Sequence, residues 1–280
     1  MREPGAADGA AGSSFHDHVC WVFDHRADFV GKAVEFLAEG RRRGHRLAYV
    51  GSQPTDVLLA DLAPLGDVQA LIDSDALCVA SITQMYPAYA AIDPFEQVGS
   101  YRRATAEALR AGFTGFRVAA DATDLVLTDA QRDAFTRYEH LVDRLMATTP
   151  FSAMCGYDRN AVGERGAAEL ACLHPLGGDD DEPPFHLFAA DGDRLGLSGE
   201  IDAASEPLLR WALTRVDQSP GEELRIDARH LAYVDHRALL VLDRRARDSR
   251  VPIVLEGATP TTRKVASMLQ LAGVQVEVGA

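Results

Sequence analysis

Three side chains of the kinds that bind metal ions lie near the start of the chain. His16, His18 and Cys20 alternate in the sequence, and alternate residues of a β-strand point to one face of its sheet. Cys155 and His174 reach the same face if their segments pack beside this strand. Imidazole and thiolate donors suit zinc, iron or copper. The pattern indicates a metal site, and the alternative is a polar strand edge that binds no metal.

The same side chains offer a nucleophile and a base. Cys20 lies two residues from His18, but two positions on one strand face do not by themselves bring a thiol within hydrogen-bonding reach of an imidazole. The sequence around them supplies no third group to orient the histidine. We therefore expect no cysteine hydrolase activity.

Nucleotide hydrolysis is also not expected. A P-loop needs glycine amides to cradle phosphates and a lysine to neutralise them. After a predicted strand over 46–50 the chain reads Gly51-Ser52-Gln53-Pro54-Thr55-Asp56, with one glycine and no lysine. We assign no catalytic residue and predict that the protein is not an enzyme.

Polar residues that follow predicted strands favour a small-molecule pocket over a metal site. Ligands of open α/β sheets bind at the carboxyl ends of the strands. For Asp17 and Asp158, a helix cap or a turn is an equally good interpretation. The predicted ligand-binding residues are Asp17, His18, Cys20, Gly51, Ser52, Asp121, Tyr157 and Asp158.

The elements that must position these residues alternate between strands and helices. Short apolar runs predict strands over 19–23, 46–50, 77–81, 115–120 and 151–157, and amphipathic stretches between them predict helices. Thr128 is a predicted N-cap for a long helix that ends near Met146. Strands separated by helices imply a mainly parallel sheet with helices on both faces, so the fold class is α/β.

A break in the pattern divides the chain into two domains. Two glycines, an acidic block and two prolines follow residue 176, and such a run continues neither a helix nor a strand. We predict a disordered tail over 1–14, one domain over 15–176, a linker over 177–184 and a smaller α/β domain over 185–280. The last begins with a hairpin-like pair of strands.

Charge and hydropathy exclude some partners. The formal net charge is −14, and a nucleic-acid-binding protein normally presents clustered basic residues. No apolar run approaches the length of a membrane span, and the first residues do not resemble a signal peptide. We expect a cytoplasmic protein that binds neither nucleic acid nor membranes. Its oligomeric state cannot be inferred from these patterns.

The second domain resembles the STAS family, the fold of anti-sigma factor antagonists. The resemblance covers most of 185–280 and keeps the order and spacing of the family. It rests on Leu195-Gly196-Leu197-Ser198-Gly199-Glu200-Ile201-Asp202-Ala203, on Leu224-Arg225-Ile226-Asp227 and on Tyr233-Val234-Asp235-His236-Arg237-Ala238-Leu239.

That resemblance implies a docking site whose usual switch is absent. In the family, a partner kinase phosphorylates a serine at the start of a helix, where free N–H groups stabilise phosphate. Here His236 and Arg237 occupy the serine positions, and neither has a hydroxyl. The predicted docking residues are Asp202, Asp235, His236 and Arg237. The domain either docks partners without a phosphate switch or is a structural module, and phosphorylation of His236 itself is a third, poorly supported interpretation.

Residues 15–176 resemble the MEDS domain, a sensory domain of methanogen and methylotroph regulators that is distantly related to RecA-like ATPases. The resemblance is carried by His16-Asp17-His18-Val19-Cys20, Phe36-Leu37-Ala38-Glu39-Gly40, Gly44, Arg46-Leu47-Ala48-Tyr49-Val50, Phe116-Arg117-Val118, Cys155-Gly156-Tyr157-Asp158-Arg159 and His174-Pro175. It implies a RecA-like sheet with a sensory role.

Together, the two resemblances imply a signalling protein that acts in transcription regulation. The first domain receives a signal, and the second docks an anti-sigma factor or a sensor kinase. Coupling between them requires two states whose balance the signal shifts. The alternative is a small-molecule-dependent or metal-dependent enzyme built on 15–176.

Overall fold

The computed structural model describes residues 5–6, 16–86, 89–178, 182–190, 193–216 and 223–279. Its strands are β1 Gly5–Ala6, β2 His18–Phe23, β3 Arg46–Gly51, β4 Leu77–Ser81, β5 Phe116–Asp121, β6 Phe151–Asp158, β7 Leu176–Gly177, β8 Phe185–Ala189, β9 Leu195–Ile201, β10 Leu224–Asp227, β11 Leu231–Val234, β12 Ile253–Ala258 and β13 Val274–Val278. Its helices are α1 Arg26–Arg42, α2 Thr55–Asp61, α3 Val68–Asp73, α4 Ile82–Met85, α5 Pro94–Arg110, α6 Asp129–Thr148, α7 Arg159–Ala171, α8 Glu206–Leu213, α9 His236–Ser249 and α10 Pro260–Leu269.

The first sheet is parallel throughout its described length. Its strand order is β1-β7-β2-β6-β5-β3-β4. Alternate residues of β2, β3, β5 and β6 enter two separate apolar cores, one on each face. On β2, Cys20 and Val22 pack on one face, whereas Val19 and Phe23 pack on the other. The predicted α/β fold with helices on both faces is confirmed.

Different helices cover the two faces. Helix α1 places Phe29, Phe36 and Leu37 in one core. Helices α5, α6 and α7 contribute to the other core, together with Val118 and Phe151 of the sheet. The residues on this second face include the side chains that form the candidate site.

Helix α6 begins as the sequence predicts. The Thr128 side chain accepts a hydrogen bond from the Gln131 amide, and Gln131 Oε1 accepts one from the Thr128 amide. This capping box satisfies two amides that a helix start otherwise leaves unpaired. It sets the register of a 20-residue helix whose inner face carries Glu139 and Asp143.

The second domain is a mixed sheet flanked by helices. Strand β8 pairs antiparallel with β9 over 185–189, as the predicted hairpin-like pair requires. The other strands are parallel, in the order β11-β9-β10-β12-β13. Its core includes Leu197, Ile226, Leu242 and Leu255. The predicted small α/β domain is confirmed.

Gly177, the first residue of the predicted linker, belongs to the first sheet. Leu176 and Gly177 form β7, which lies between β1 and β2. Strand β1, which pairs with β7, consists of Gly5 and Ala6 and falls within the predicted tail. The other residues of 1–14 lie outside the described residues. Helix α3 and strand β11 also lacked a sequence prediction, because short elements leave few positions in which periodicity can be recognised.

Within the part of the chain that the structure describes, every helix is too short or too polar to cross a membrane.

Candidate functional site

A group of ionisable side chains is completely buried between the first sheet and α6. Its members are His18, Glu139, Cys155 and His174, and one ligand atom from each lies within 4.8 Å of the others. Glu139 Oε2 is 2.9 Å from His18 Nε2 and 3.6 Å from His174 Nε2. Cys155 Sγ is 3.8 Å from His18 Nε2 and 3.9 Å from Glu139 Oε2. We call these four residues the His18 cluster.

Strand register and helix spacing bring the cluster together. Strands β2 and β6 are parallel neighbours, with His18 opposite Ala153 and Cys20 opposite Cys155. The same face therefore presents His18 from one strand and Cys155 from the other. Glu139 comes from α6 above this face. His174 follows the end of α7, and its ring lies 4.1 Å, centroid to centroid, from the His18 ring.

A second layer of hydrogen bonds holds these side chains. Asp143 lies one turn after Glu139 on α6, and its Oδ1 atom is 3.2 Å from His18 Nδ1. His174 Nδ1 is 2.9 Å from the Leu170 carbonyl oxygen. Tyr157 donates its hydroxyl proton to Glu139 Oε1 over 2.6 Å. Both imidazole rings are thus held through Nδ1, and both Nε2 atoms face the centre of the cluster.

The buried charges compensate one another. Burial lowers the pKa of His18, but hydrogen bonds and charge from Asp143 and Glu139 outweigh burial and raise it to about 9. Burial and the nearby His18 lower the pKa of His174 to about 4. Burial and the charge of Glu139 raise the pKa of the Cys155 thiol. These shifts favour a protonated His18 between Glu139 and Asp143, beside a neutral His174 imidazole and a neutral Cys155 thiol.

A small cavity of the first domain is lined in part by Cys155. Its volume is about 50 Å³, which exceeds the roughly 10–15 Å³ that one water requires. Its walls are mainly apolar and aromatic and include Tyr101, Phe135, Tyr138, Phe151 and Ala153. Its mainly apolar lining suits a small apolar ligand.

The His18 cluster is bonded directly to the second domain. The Ala189 amide of β8 donates to Asp143 Oδ2 over 2.6 Å. The His174 carbonyl oxygen is 2.7 Å from Nδ1 of His186, which also lies on β8. A carboxylate that holds His18 therefore also holds a strand of the second sheet.

The predicted ligand-binding residues occupy different places. His18 and Tyr157 belong to the buried network, and Cys20 is buried on the same face. Gly51, Ser52, Asp121 and Asp158 lie at the carboxyl ends of the strands, as predicted. There Asp121 accepts hydrogen bonds from Thr123, and burial raises its pKa. Asp158 caps α7 through the Asn160 amide, which matches the cap interpretation.

Asp17 lies at the opposite end of the sheet. It precedes β2, whereas Asp158 is opposite Phe23 at the end of that strand, so the two are roughly 20 Å apart at ~3.3 Å per residue. Asp17 Oδ2 is 4.0 Å from Arg117 Nη2, and both residues are buried. Burial lowers the pKa of Arg117 to about 10. The eight predicted residues therefore do not line one pocket, because Asp17 lies at one end of the sheet and Asp121 and Asp158 lie at the other.

His16, which the sequence analysis predicted as a metal ligand, lies outside the His18 cluster. Strand β2 begins at His18, so the strand alternation does not extend back to His16. Its Nδ1 instead lies 2.6 Å from the Met146 carbonyl oxygen and 2.9 Å from that of Thr149. Cys20 is buried near Cys155 but is not one of the four clustered residues.

The sequence interpretation did not identify Glu139 and Asp143. The signal was nevertheless present, because both acids lie on the face of a predicted amphipathic helix that carries Phe135, Val142 and Met146. A carboxylate on an apolar face needs a buried partner. The partner's identity depends on the packing of α6 against β2 and β6.

The predicted docking residues meet at one end of the second sheet. Asp202 and Asp235 follow the paired residues Ile201 and Val234 of β9 and β11, and the Asp235 amide donates to the Ile201 carbonyl oxygen. Asp235 caps α9 by accepting from the Arg237 and Ala238 amides, and Asp202 accepts from the Ala204 and Ser205 amides. His236 and Arg237 are exposed.

Comparison with known proteins finds two domain families in the predicted order. A family model described as "MEDS: MEthanogen/methylotroph, DcmR Sensory domain" matches residues 17–175. A second, described as "Mlab, STAS domain", matches residues 187–277. No curated protein matches the chain.

Proposed function

The chain belongs to the MEDS sensory-domain family and carries a STAS domain behind that domain, and from this premise we propose that its sensory domain controls the docking of a partner protein on the STAS domain. The observation that carries the proposal is the pair of hydrogen bonds that β8 donates to Asp143 Oδ2 and to the His174 carbonyl oxygen. Because of these hydrogen bonds, a movement of Asp143 or His174 in the sensory core would displace β8 of the STAS domain.

The route continues to the docking end of the STAS sheet. Strand β8 pairs with β9 along its whole length. Strand β9 ends at Ile201, which pairs with Val234 beside the cap of α9. A displacement of β8 therefore acts on the turn at Asp202 and on the start of α9 through continuous backbone hydrogen bonds. Two packings of this junction would supply the two states that coupling requires.

The proposed docking surface, here named the α9 surface, consists of Tyr233, His236, Arg237, Leu240 and Arg244. All five side chains are exposed, with Tyr233 at 53% and Leu240 at 40%. Arg237, Leu240 and Arg244 are spaced at three and four residues, so they share one side of the helix. An exposed tyrosine and leucine among basic residues are the kinds of side chain that anchor protein interfaces.

The partner that fits this surface has an acidic docking face. The whole chain carries a formal net charge of −14, so a basic helix face is a local reversal of charge that steers an acidic partner to it. We propose an anti-sigma factor or a sensor kinase as that partner, and regulation of transcription as the result.

The α9 surface lacks the hydroxyl that a phosphate switch would need. His236, Arg237 and Ala238 occupy the first turn of α9. Elsewhere in the STAS family a phosphoserine at a helix start disrupts docking by adding charge to the interface. Here the sensory domain takes over that control through β8.

The test is affinity purification with the full chain as bait and identification of retained proteins by mass spectrometry. The isolated STAS domain is unsuitable, because Cys172 and Leu173 from the end of the sensory domain are part of its core. We expect an anti-sigma factor or a sensor kinase to bind the wild-type chain. Leu240→Asp should weaken binding by about tenfold or more, since it places a charge in the centre of the interface.

Met268→Asp is the matched control. Met268 is 74% exposed on α10 and lies outside the α9 surface, so its substitution should leave binding within about twofold. Equal loss with both variants, or retention of the partner by Leu240→Asp, would refute the α9 surface as the docking site. Recovery of no regulatory protein by the wild-type chain would refute the proposed function.

A further inference from the structure

The His18 cluster has the donor set of a transition-metal site. It offers two imidazole nitrogens, one carboxylate oxygen and one sulfur, all from completely buried residues. We propose that His18 Nε2, His174 Nε2, Cys155 Sγ and Glu139 Oε2 bind one divalent transition-metal ion of the zinc or ferrous class.

Four of the six distances between the donors are close to the edges of a tetrahedron around one ion, and all four ligand atoms lie within 4.8 Å of one another. Bonds of about 2.0–2.3 Å to nitrogen, oxygen and sulfur give edges of about 3.3–3.6 Å. The donor pairs around Glu139 Oε2 and His18 Nε2 are separated by 2.9, 3.6, 3.8 and 3.9 Å. Side-chain adjustments of a few tenths of an ångström bring these edges to the required length.

The hydrogen bonds around the cluster have the form of a metal site's outer layer. Metal-binding histidines usually donate their other ring N–H to a carboxylate or a backbone carbonyl. His18 Nδ1 is beside Asp143 and His174 Nδ1 is beside the Leu170 carbonyl oxygen. Tyr157 similarly holds the Glu139 oxygen that is not a proposed ligand.

One ligand atom is otherwise unexplained. His174 is fully buried, and its Nε2 forms no hydrogen bond with any residue that the structure describes. It points to Glu139 Oε2 at 3.6 Å, which is too long for a hydrogen bond. An unpaired buried nitrogen is costly, and a metal ion at the centre of the cluster satisfies it.

The ligands bind a metal ion in their deprotonated forms. Cys155 binds as a thiolate and each histidine through an unprotonated Nε2, and the displaced protons leave to solvent. The thiolate and the Glu139 carboxylate together balance the charge of a divalent ion, so binding leaves no uncompensated charge in the core.

The donor set selects the class of ion. Calcium and magnesium prefer six or more oxygen ligands, whereas this cluster offers one carboxylate. Nitrogen and sulfur donors suit zinc and ferrous iron. Since four protein ligands complete the coordination, the site has the form of a structural or sensing site, which keeps no open position for a reacting water.

Occupancy of the site would act on the STAS domain through Asp143 and His174. Only this step rests on the proposed function, because binding of the ion is a property of the sensory core alone. If the protein binds metal and no partner, the proposed function fails and the site stands. If a partner docks and no metal binds, the metal site fails and the proposed function stands.

The test is a zinc titration of the full chain after treatment with a chelator, with elemental analysis and competition against a chromophoric chelator. We expect one Zn²⁺ per chain. Cobalt should serve as a spectroscopic probe, because a cysteine thiolate ligand produces a charge-transfer absorption band. A wild-type protein that binds no zinc, or a cobalt complex without the thiolate band, would overturn the proposal. The His18 cluster would then be a network of buried hydrogen bonds and ion pairs.

Matched variants identify the ligands. Cys155→Ala and His174→Gln should weaken zinc binding by at least about a hundredfold, as loss of a direct ligand exceeds the tenfold to hundredfold loss seen for outer-layer partners. Cys20→Ala and His16→Gln change the same residue types outside the cluster and should leave binding within about threefold. Equal weakening by a variant and its control would refute the ligand assignment. Circular dichroism verifies that each variant is folded.

Discussion

At the scale of single residues, Asp143 links the sensory core to the STAS domain. It is buried on α6, with one oxygen facing His18 Nδ1 and the other facing the Ala189 amide. Both neighbours present N–H groups. Only a side chain with two acceptors satisfies both, which explains an ionised carboxylate where an amide would have almost the same shape.

Asp143→Asn should therefore destabilise the protein although the change in volume is negligible. Whichever way the amide turns, its NH₂ group faces one of the two N–H donors. We expect the free energy of unfolding to fall by about 3 kcal/mol, as is typical when a buried charged partner is removed. Urea denaturation followed by circular dichroism measures this loss.

Asp133→Asn provides the comparison on the same helix. Asp133 is half-exposed and pairs with Arg137 and Arg215, and exposed ion pairs contribute about 0–1 kcal/mol. A loss with Asp133→Asn as large as that with Asp143→Asn would show that burial of Asp143 is not the cause.

At the scale of elements, helix α1 lies unusually close to the sheet at one point. A Cβ atom at Gly40 would be 2.6 Å from Arg117 Cδ and 2.9 Å from Leu47 Cδ2. Arg117 cannot move aside readily, because it is buried and donates to the Phe36 carbonyl oxygen and to Ser152 Oγ. Gly40 has ordinary helical geometry, so its backbone does not require glycine. The close packing against Arg117 and Leu47 is what requires it.

Gly40→Ala should lower the free energy of unfolding by about 1–3 kcal/mol, the usual effect of overpacking a core. Gly31→Ala in the same helix should raise it by up to about 1 kcal/mol, because alanine is the better helix former and nothing lies within 4 Å of its added Cβ atom. Thermal unfolding of the two variants separates packing from helix propensity. If both substitutions stabilise α1, the close approach at Gly40 is absent in solution.

At the scale of the whole molecule, the two domains share structure at their junction. Cys172 and Leu173, at the end of the sensory domain, belong to the core of the STAS domain. The Leu187 amide donates to the Cys172 carbonyl oxygen, and β8 is bonded to Asp143. Unfolding one domain would therefore expose apolar surface and unpaired groups of the other.

We expect the protein to unfold in a single calorimetric transition. The shared core makes unfolding of one domain alone unfavourable, so the calorimetric enthalpy should equal the van't Hoff enthalpy. Differential scanning calorimetry measures both. Two separate heat-absorption peaks would contradict a mechanically coupled junction and would weaken the proposed route through β8.

Local patterns in the sequence determined much of the architecture. Periodicity identified five long strands of the first sheet, and Thr128 was correctly predicted as the N-cap of α6. These features depend on neighbouring residues, so they can be read from a single chain. The absence of a hydroxyl at the start of α9 is likewise a property of the sequence at His236 and Arg237.

Tertiary structure decided which polar side chains meet. The register of β2 against β6 and the position of α6 united His18 with Cys155 and added Glu139, which no local pattern had assigned to the group. The same packing placed Asp17 beside Arg117 at the far end of the sheet. Spacing within a segment establishes the face on which a side chain lies, whereas contacts between distant segments depend on strand order and helix packing.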